Sequence, residues 1–138
     1  MRVVLMTLLA STAVLTAGCG AVGHLSASDG DPVAGKKAFM SGTSPSCASC
    51  HALVDAGSTS SIGPDLDAAF GPDRCQSFKT STIRDVVRGQ IAYSETDTGT
   101  GNPGMPANLA TGQTAKDIAV YVASVAGKTW NCDTGAVG

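Results

Sequence analysis

Cys47-Ala48-Ser49-Cys50-His51 is the stretch from which the rest of this 138-residue chain can be read. Two thiols stand three residues apart, and an imidazole follows the second directly. Thiols at that spacing can form thioethers with the two vinyl groups of one porphyrin. The next residue then lies under the ring with a nitrogen free for iron. C-x-x-C-H is accordingly the attachment signature of a c-type haem. At this chain's Cys and His frequencies it arises by chance in roughly 0.2% of such sequences.

Two other chemistries compete for the same residues. A structural zinc site needs four N or S ligands, usually through a second C-x-x-C or an H-x3-5-H pair. The only other histidine is His24, and Cys75 and Cys132 stand alone. A thioredoxin-like redox C-x-x-C belongs in a βαβ setting, and no strand pattern flanks this one.

Length fits a single domain. Aromatic residues are only 4% of the chain and charged residues 14%, while glycine is high at 17 residues. So few aromatics make a thin core, and a buried haem would add a large flat apolar body to it. With no basic cluster, nucleic acid is not an expected partner.

The first eighteen residues read as a secretory signal peptide. Arg2 supplies the positive region, Val3 to Leu15 is an almost unbroken apolar run, and Thr16-Ala17-Gly18 are small. The run is shorter than the ~20 residues that span a bilayer as a helix. Leu15-Thr16-Ala17-Gly18-Cys19 resembles a bacterial lipoprotein signal, in which cleavage precedes the Cys and its thiol receives a diacylglycerol. Thr16 departs from that pattern, where Leu, Val or Ile is usual. The alternative is an ordinary cleaved signal with a leftover Cys. Residues 19–30 then form the lipidated Cys and a flexible tether, and 31–138 form one haem domain. Ten such tether residues span ~17 Å on average. Without residues 1–18, eight basic and eleven acidic residues remain, a net charge of −3.

Export bears on the remaining thiols. With Cys19 taken by lipid and Cys47 and Cys50 by haem, Cys75 and Cys132 are left as an even pair in an oxidising compartment. A disulfide is the economical pairing, with a stabilisation of about 4 kcal/mol in the chain-entropy model. Two free thiols are the alternative.

Asp31-Pro32 predicts a helix from about Pro32 to Met40, with an Asp N-cap and Pro at the first helical position. Gly35 and Phe39 share one face, and Val33, Lys36 and Lys37 point outward. His51 to Val54 continues as a short helical turn. Gly63-Pro64 marks a turn. A short helix over Asp67 to Phe70 is stopped by Gly71-Pro72. Thr80-Ser81-Thr82 offer N-caps to a helix whose apolar stripe is Ile83, Val86, Val87 and Ile91, with Arg84, Asp85 and Arg88 on its wet side. Ser94 to Gly104 is a long polar loop. Thr114-x-x-Asp117 opens the last helix as a capping box, with Ile118, Val122 and Val125 on one face, Tyr121 beside them and Gly127 as the C-cap. No strand is predicted.

Haem iron in an electron carrier wants a second protein ligand. Met1 and Met6 fall in the signal, Met40 on the first helix, and His24 in the tether. Met105, in Asn102-Pro103-Gly104-Met105-Pro106-Ala107-Asn108, has no core to fill. The prolines would stiffen its loop, and Gly104 would let the backbone approach a ring. Met105 is the expected ligand.

Gly35 and Phe39, the C-A-S-C-H run, Ile62-Gly63-Pro64-Asp65-Leu66, Gly104-Met105-Pro106-Ala107 and Tyr121-Val122-Ala123-Ser124-Val125 occur in a familiar order. From about Asp31 to Lys128 the chain resembles a class I c-type cytochrome of the small bacterial type. The resemblance implies an all-α fold of about three to five helices around one covalent haem c. It implies that the first and last helices cross through Gly35, Phe39 and Tyr121. It also implies that the Pro64 carbonyl accepts the imidazole N–H, with Leu66 beside the haem. Cys75, Cys132, the 94–104 loop and the Trp130 tail depart from that pattern.

Together these features predict a one-electron carrier rather than an enzyme, exported and held by lipid at the outer face of the cytoplasmic membrane or in the periplasm. The expected partners are redox proteins such as a quinol-oxidising complex, a terminal oxidase or a dehydrogenase, met as a monomer or within a complex. Two alternatives stay open: a tethered haem subunit of a larger respiratory complex, or a haem enzyme or gas sensor that opens its iron by releasing Met105.

Overall fold

Asp31 starts the first helix as its sequence predicts. In the computed structural model, which describes residues 30–94 and 104–138, the Asp31 carboxylate accepts the Val33 N–H at 2.8 Å and Pro32 opens α1 (Pro32–Ser41). The predicted signal peptide, Cys19, His24, nearly all of the tether and most of the 94–104 loop lie outside the described residues. Three further helices follow: α2 (Leu66–Cys75), α3 (Thr80–Ala92) and α4 (Gly112–Val125). Among the described residues, none is long and apolar enough to cross a membrane.

The frame is the crossing of α1 on α4, with α3 also packed on α4. A Cβ on Gly35 would lie 2.0 Å from the Asp117 carbonyl oxygen, so only glycine lets the two backbones meet. One turn on, the Phe39 ring meets Tyr121 edge-on at a centroid distance of 5.8 Å, the geometry preferred by the aromatic quadrupole. Tyr121 in turn donates its hydroxyl to Asp55 Oδ1 at 2.7 Å, and Lys36 Nζ lies 3.0 Å from the same oxygen.

Several expectations need correction. α4 begins at Gly112, and Thr114 lies inside it; the N-cap Thr111 makes no side-chain capping bond. Asp117 does not close a capping box because its Oδ1 accepts the Asp31 N–H and the Gln113 side chain instead. On α3 the N-cap is Lys79, again without a side-chain bond. Val86 is 47% exposed, whereas Arg84 is buried at 5%. Positions 84, 87 and 91 recur at helical spacing, and α3 packs on α4. Arg84 therefore shares the buried stripe that apolar periodicity alone assigned to Val86, its aliphatic stem covered and its Nε 3.1 Å from Asp85 Oδ1.

α2 runs straight through Gly71-Pro72. Asp65 caps its start by accepting from the Asp67 and Ala68 N–H groups. Pro72 falls on the exposed side, where a missing backbone bond costs least. Beyond it, Arg74 donates to the carbonyls of Ala123 and Ala126 at the end of α4. The predicted turn at His51–Val54 is absent; short 3-10 turns occupy Cys47–Ser49 and Val54–Ala56 on either side. Gly127 does carry the positive φ (+71°) expected after α4.

The fold is mostly helical but not all-α. The tail forms a hairpin of β1 (Trp130–Asn131) and β2 (Ala136–Val137), with Trp130 opposite Val137. Two-residue strands leave no alternating pattern to read. The turn is closed by the Asn131 side chain, which accepts from the Asp133 and Thr134 N–H groups. The hairpin is fixed to α2 by a Cys75–Cys132 disulfide and by Trp130, whose ring fills the space a side chain on Gly71 would need.

Candidate functional site: an apolar cleft bearing two thiols, an imidazole and a thioether

The C-x-x-C-H segment is held to residues 63–67 by a run of successive contacts. Gly63 N–H donates to the Cys50 carbonyl at 2.7 Å, and Leu66 N–H donates to the Ala52 carbonyl at 2.9 Å. Between them His51 Nδ1 lies 2.9 Å from the Pro64 carbonyl oxygen. At the far end, the Val54 N–H donates to Asp67 Oδ2 at 2.8 Å. Asp67 is buried at 1% exposure, and its other oxygen accepts the Gly127 N–H at 2.9 Å. One carboxylate thus ties the stretch after the C-x-x-C-H run to the end of α4.

The tautomer of His51 follows from its partner. A carbonyl oxygen only accepts, so Nδ1 carries the proton. In the neutral ring Nε2 is then the nitrogen that offers a lone pair to a metal. A Cβ on Gly63 would sit 2.8 Å from His51 Cε1. Glycine here lets the loop lie flat against the imidazole and limits its rotation.

Cys50, His51, Gly63, Pro64 and Leu66 border a cleft of about 750 Å³. Val87 and Ile91 of α3, Ile118 and Val122 of α4, and Leu66 and Phe70 of α2 form apolar walls. Cys47, Cys50, His51, Pro64 and Met105 all line it, so the structure brings together every described residue that the sequence marked for cofactor binding. Among the described residues, no Lys, Arg, Asp or Glu side chain does so. Met105 is partly buried against the core. Ser94 Oγ donates to its carbonyl oxygen at 2.6 Å.

Both thiols of the motif are free, Cys47 buried and Cys50 half-buried. Burial pushes the Cys47 thiol up from its ordinary range, against the smaller opposing pull of the Thr43 hydroxyl. The donor set and the cleft together fit a haem: a planar apolar body within apolar walls, two thiols for its vinyl groups, and an imidazole nitrogen and a thioether sulfur for its iron. Zinc fits less well, because among the described residues no three His, Cys, Asp or Glu side chains form a metal-holding group.

Asp67 and Ser94 are parts of this site that the sequence did not mark. Gly63 was marked, through the Ile62-Gly63-Pro64-Asp65-Leu66 motif and its turn signal. Asp67 in a short helix and Ser94 at the head of a polar loop both read as solvated until their partners are seen.

No family model matches the chain, and no curated protein does. Among solved structures the chain is similar to the c-type cytochrome SorU from Sinorhizobium meliloti, with 28% identity over 70% of this chain and 92% of that one, at a TM-score of 0.45.

Proposed function

We propose that this chain is a monohaem c-type cytochrome that carries single electrons, with haem c bonded to Cys47 and Cys50 and its iron held by His51 and Met105. One observation carries the reading. A single apolar cleft of about 750 Å³ is lined at once by both free thiols, by His51 and by Met105, residues up to 58 positions apart in sequence. Bound there, haem c supplies a one-electron ferrous–ferric couple whose potential a His/Met ligand pair sets high.

The chain's own residues do the rest. The Pro64 carbonyl accepts a hydrogen bond from the Nδ1–H of His51, fixing the ring's orientation and making Nε2 a better donor. Val87, Ile91, Ile118 and Val122 exclude water from the walls. The Phe39–Tyr121 contact behind them holds α1 and α4 in place. Two protein ligands would leave the iron no open position for a substrate, which favours a carrier over an enzyme.

The same proposal places the haem outside the cytoplasm. Export follows from residues 1–18, and lipid attachment at Cys19 would keep the haem near a membrane surface. Its donors and acceptors would be membrane-associated redox proteins such as a quinol-oxidising complex, a terminal oxidase or a dehydrogenase. The decisive experiment is a pyridine haemochrome spectrum together with a potentiometric titration of the purified full chain. The expected result is two thioether bonds, one haem per chain and a single reversible one-electron wave. A chain that acquires no covalent haem in a host competent for its attachment refutes the reading.

A further inference from the structure

The end of α3 grips the segment that carries Met105. Ser94, two residues beyond the helix, donates its hydroxyl to the Met105 carbonyl at 2.6 Å across eleven residues of sequence. The Ile91 carbonyl accepts the Asn108 N–H at 2.8 Å. Ile91 lies in the last turn of α3, whose carbonyls have no partner within the helix, and the Met105 segment supplies one. Pro106 adds a third restraint, because the residue before a proline is confined to extended backbone. Met105 itself is only partly buried, and its unbranched side chain adapts to many positions. Packing alone does not fix it, so its backbone is where its position is set.

We infer that Ser94 is a positioning residue for Met105: its hydroxyl holds the Met105 backbone where the thioether stays on the iron, and so governs how readily the iron accepts a ligand from solvent. The inference rests on the ligation proposed above. It deepens that reading by naming what separates a closed electron carrier from a ligand-binding haem in this chain. An outside ligand binds only to the fraction of molecules with Met105 off, and its apparent affinity scales with that fraction. Loss of one neutral hydrogen bond is expected to raise the fraction about fivefold.

The test is imidazole binding to the oxidised holoprotein, followed by loss of the sulfur-to-iron charge-transfer band. Ser94→Ala should bind imidazole about fivefold more tightly than wild type. Ser94→Thr, which keeps the hydroxyl, should return close to the wild-type value. Unchanged affinity in Ser94→Ala overturns the assignment, as does a Thr variant that behaves like Ala. A lowered unfolding midpoint with unchanged imidazole affinity would make Ser94 merely structural and overturn it equally. Met105→Ala separates the two proposals. If the band survives that substitution, the ligation itself fails and takes this inference with it. If the band is lost there while Ser94→Ala binds imidazole like wild type, this inference alone fails.

Discussion

Asp67→Asn offers the sharpest test of how the C-x-x-C-H segment is held. The carboxylate is 1% exposed and accepts two backbone hydrogen bonds, from Val54 at 2.8 Å and Gly127 at 2.9 Å. Asparagine has the same shape but only one accepting oxygen. Whichever N–H that oxygen serves, the amide NH2 faces the other, leaving a buried backbone donor unpaired. A hydrogen bond to a charged group contributes about 1.5–3 kcal/mol, and an unsatisfied buried donor costs a comparable amount. A loss of about 3 kcal/mol is expected, a large share of the ~5–15 kcal/mol that holds a small domain together. Urea unfolding of the holoprotein measures it, with the slope unchanged if only the native state is affected. Amide exchange at Val54 and Gly127 should rise first, because those donors lose their acceptor. A loss under about 1 kcal/mol, with both amides still protected, would refute the claim that this carboxylate bridges the two segments.

Gly35→Ala should cost on the order of 3 kcal/mol by forcing α1 and α4 apart, since its methyl would fall 2.0 Å from the Asp117 carbonyl oxygen; a thermal unfolding midpoint within a degree or two of wild type would contradict that crossing. Tyr121→Phe should cost about 1 kcal/mol at neutral pH, a modest figure because the Asp55 side chain is 42% exposed. The Tyr121 hydroxyl first, and Lys36 second, hold the Asp55 carboxyl below its ordinary range. A lowered native value means stability that is present above the ordinary carboxylate range and lost as pH falls through the lowered one. The gap between wild type and Tyr121→Phe should therefore narrow below about pH 4, and a gap constant from neutral to strongly acid pH would exclude Asp55 as the partner that matters. Replacing both Cys75 and Cys132 by Ala should remove about 4 kcal/mol for a crosslink across 57 residues, and denaturant midpoints that match with and without the bond would show the hairpin to be stable unaided.

What could be read from the chain divides by physical cause. Features written in local covalent chemistry were legible: the C-x-x-C-H spacing, the Asp31-Pro32 helix start, and the leftover pair Cys75 and Cys132, which the structure joins. The α1–α4 crossing was legible only through resemblance, because Gly35 owes its meaning to the Asp117 carbonyl eighty-two residues away. Tertiary context overrode local signals elsewhere. Pro72 looked like a helix stop, yet Arg74 and the disulfide carry α2 onward to Cys75. Asp117 looked like half of a capping box, but the Asp31 N–H claims its carboxylate. Arg84 looked wet because it is charged, although its place on the helix faces α4. In each case a nearby element offered a partner that no window of ten residues contains.

The apolar stripes of α3 and α4 show why periodicity alone would have missed the site. Val87 and Ile91, Ile118 and Val122 are spaced as core residues are, and they are buried as core residues are. Yet all four also border the cleft. A side chain that walls a large flat apolar group and one that packs on another helix obey the same 3.6-residue pattern, because both must leave water. The pattern therefore reports burial and is silent on what lies opposite. That information sits in the irregular segments: in the thiols and imidazole of 47–51, in the Pro64 carbonyl, and in Met105. The helices contribute by giving those segments fixed neighbours. α2 presents Asp67 to Val54, and the end of α3 presents the Ile91 carbonyl to Asn108, with Ser94 just beyond it bonded to Met105. On the proposed reading, carrying an electron without rearranging the iron's surroundings would require His51 and Met105 to be held by groups that do not move, and the loops bearing these two residues are each fastened to the end of a different helix.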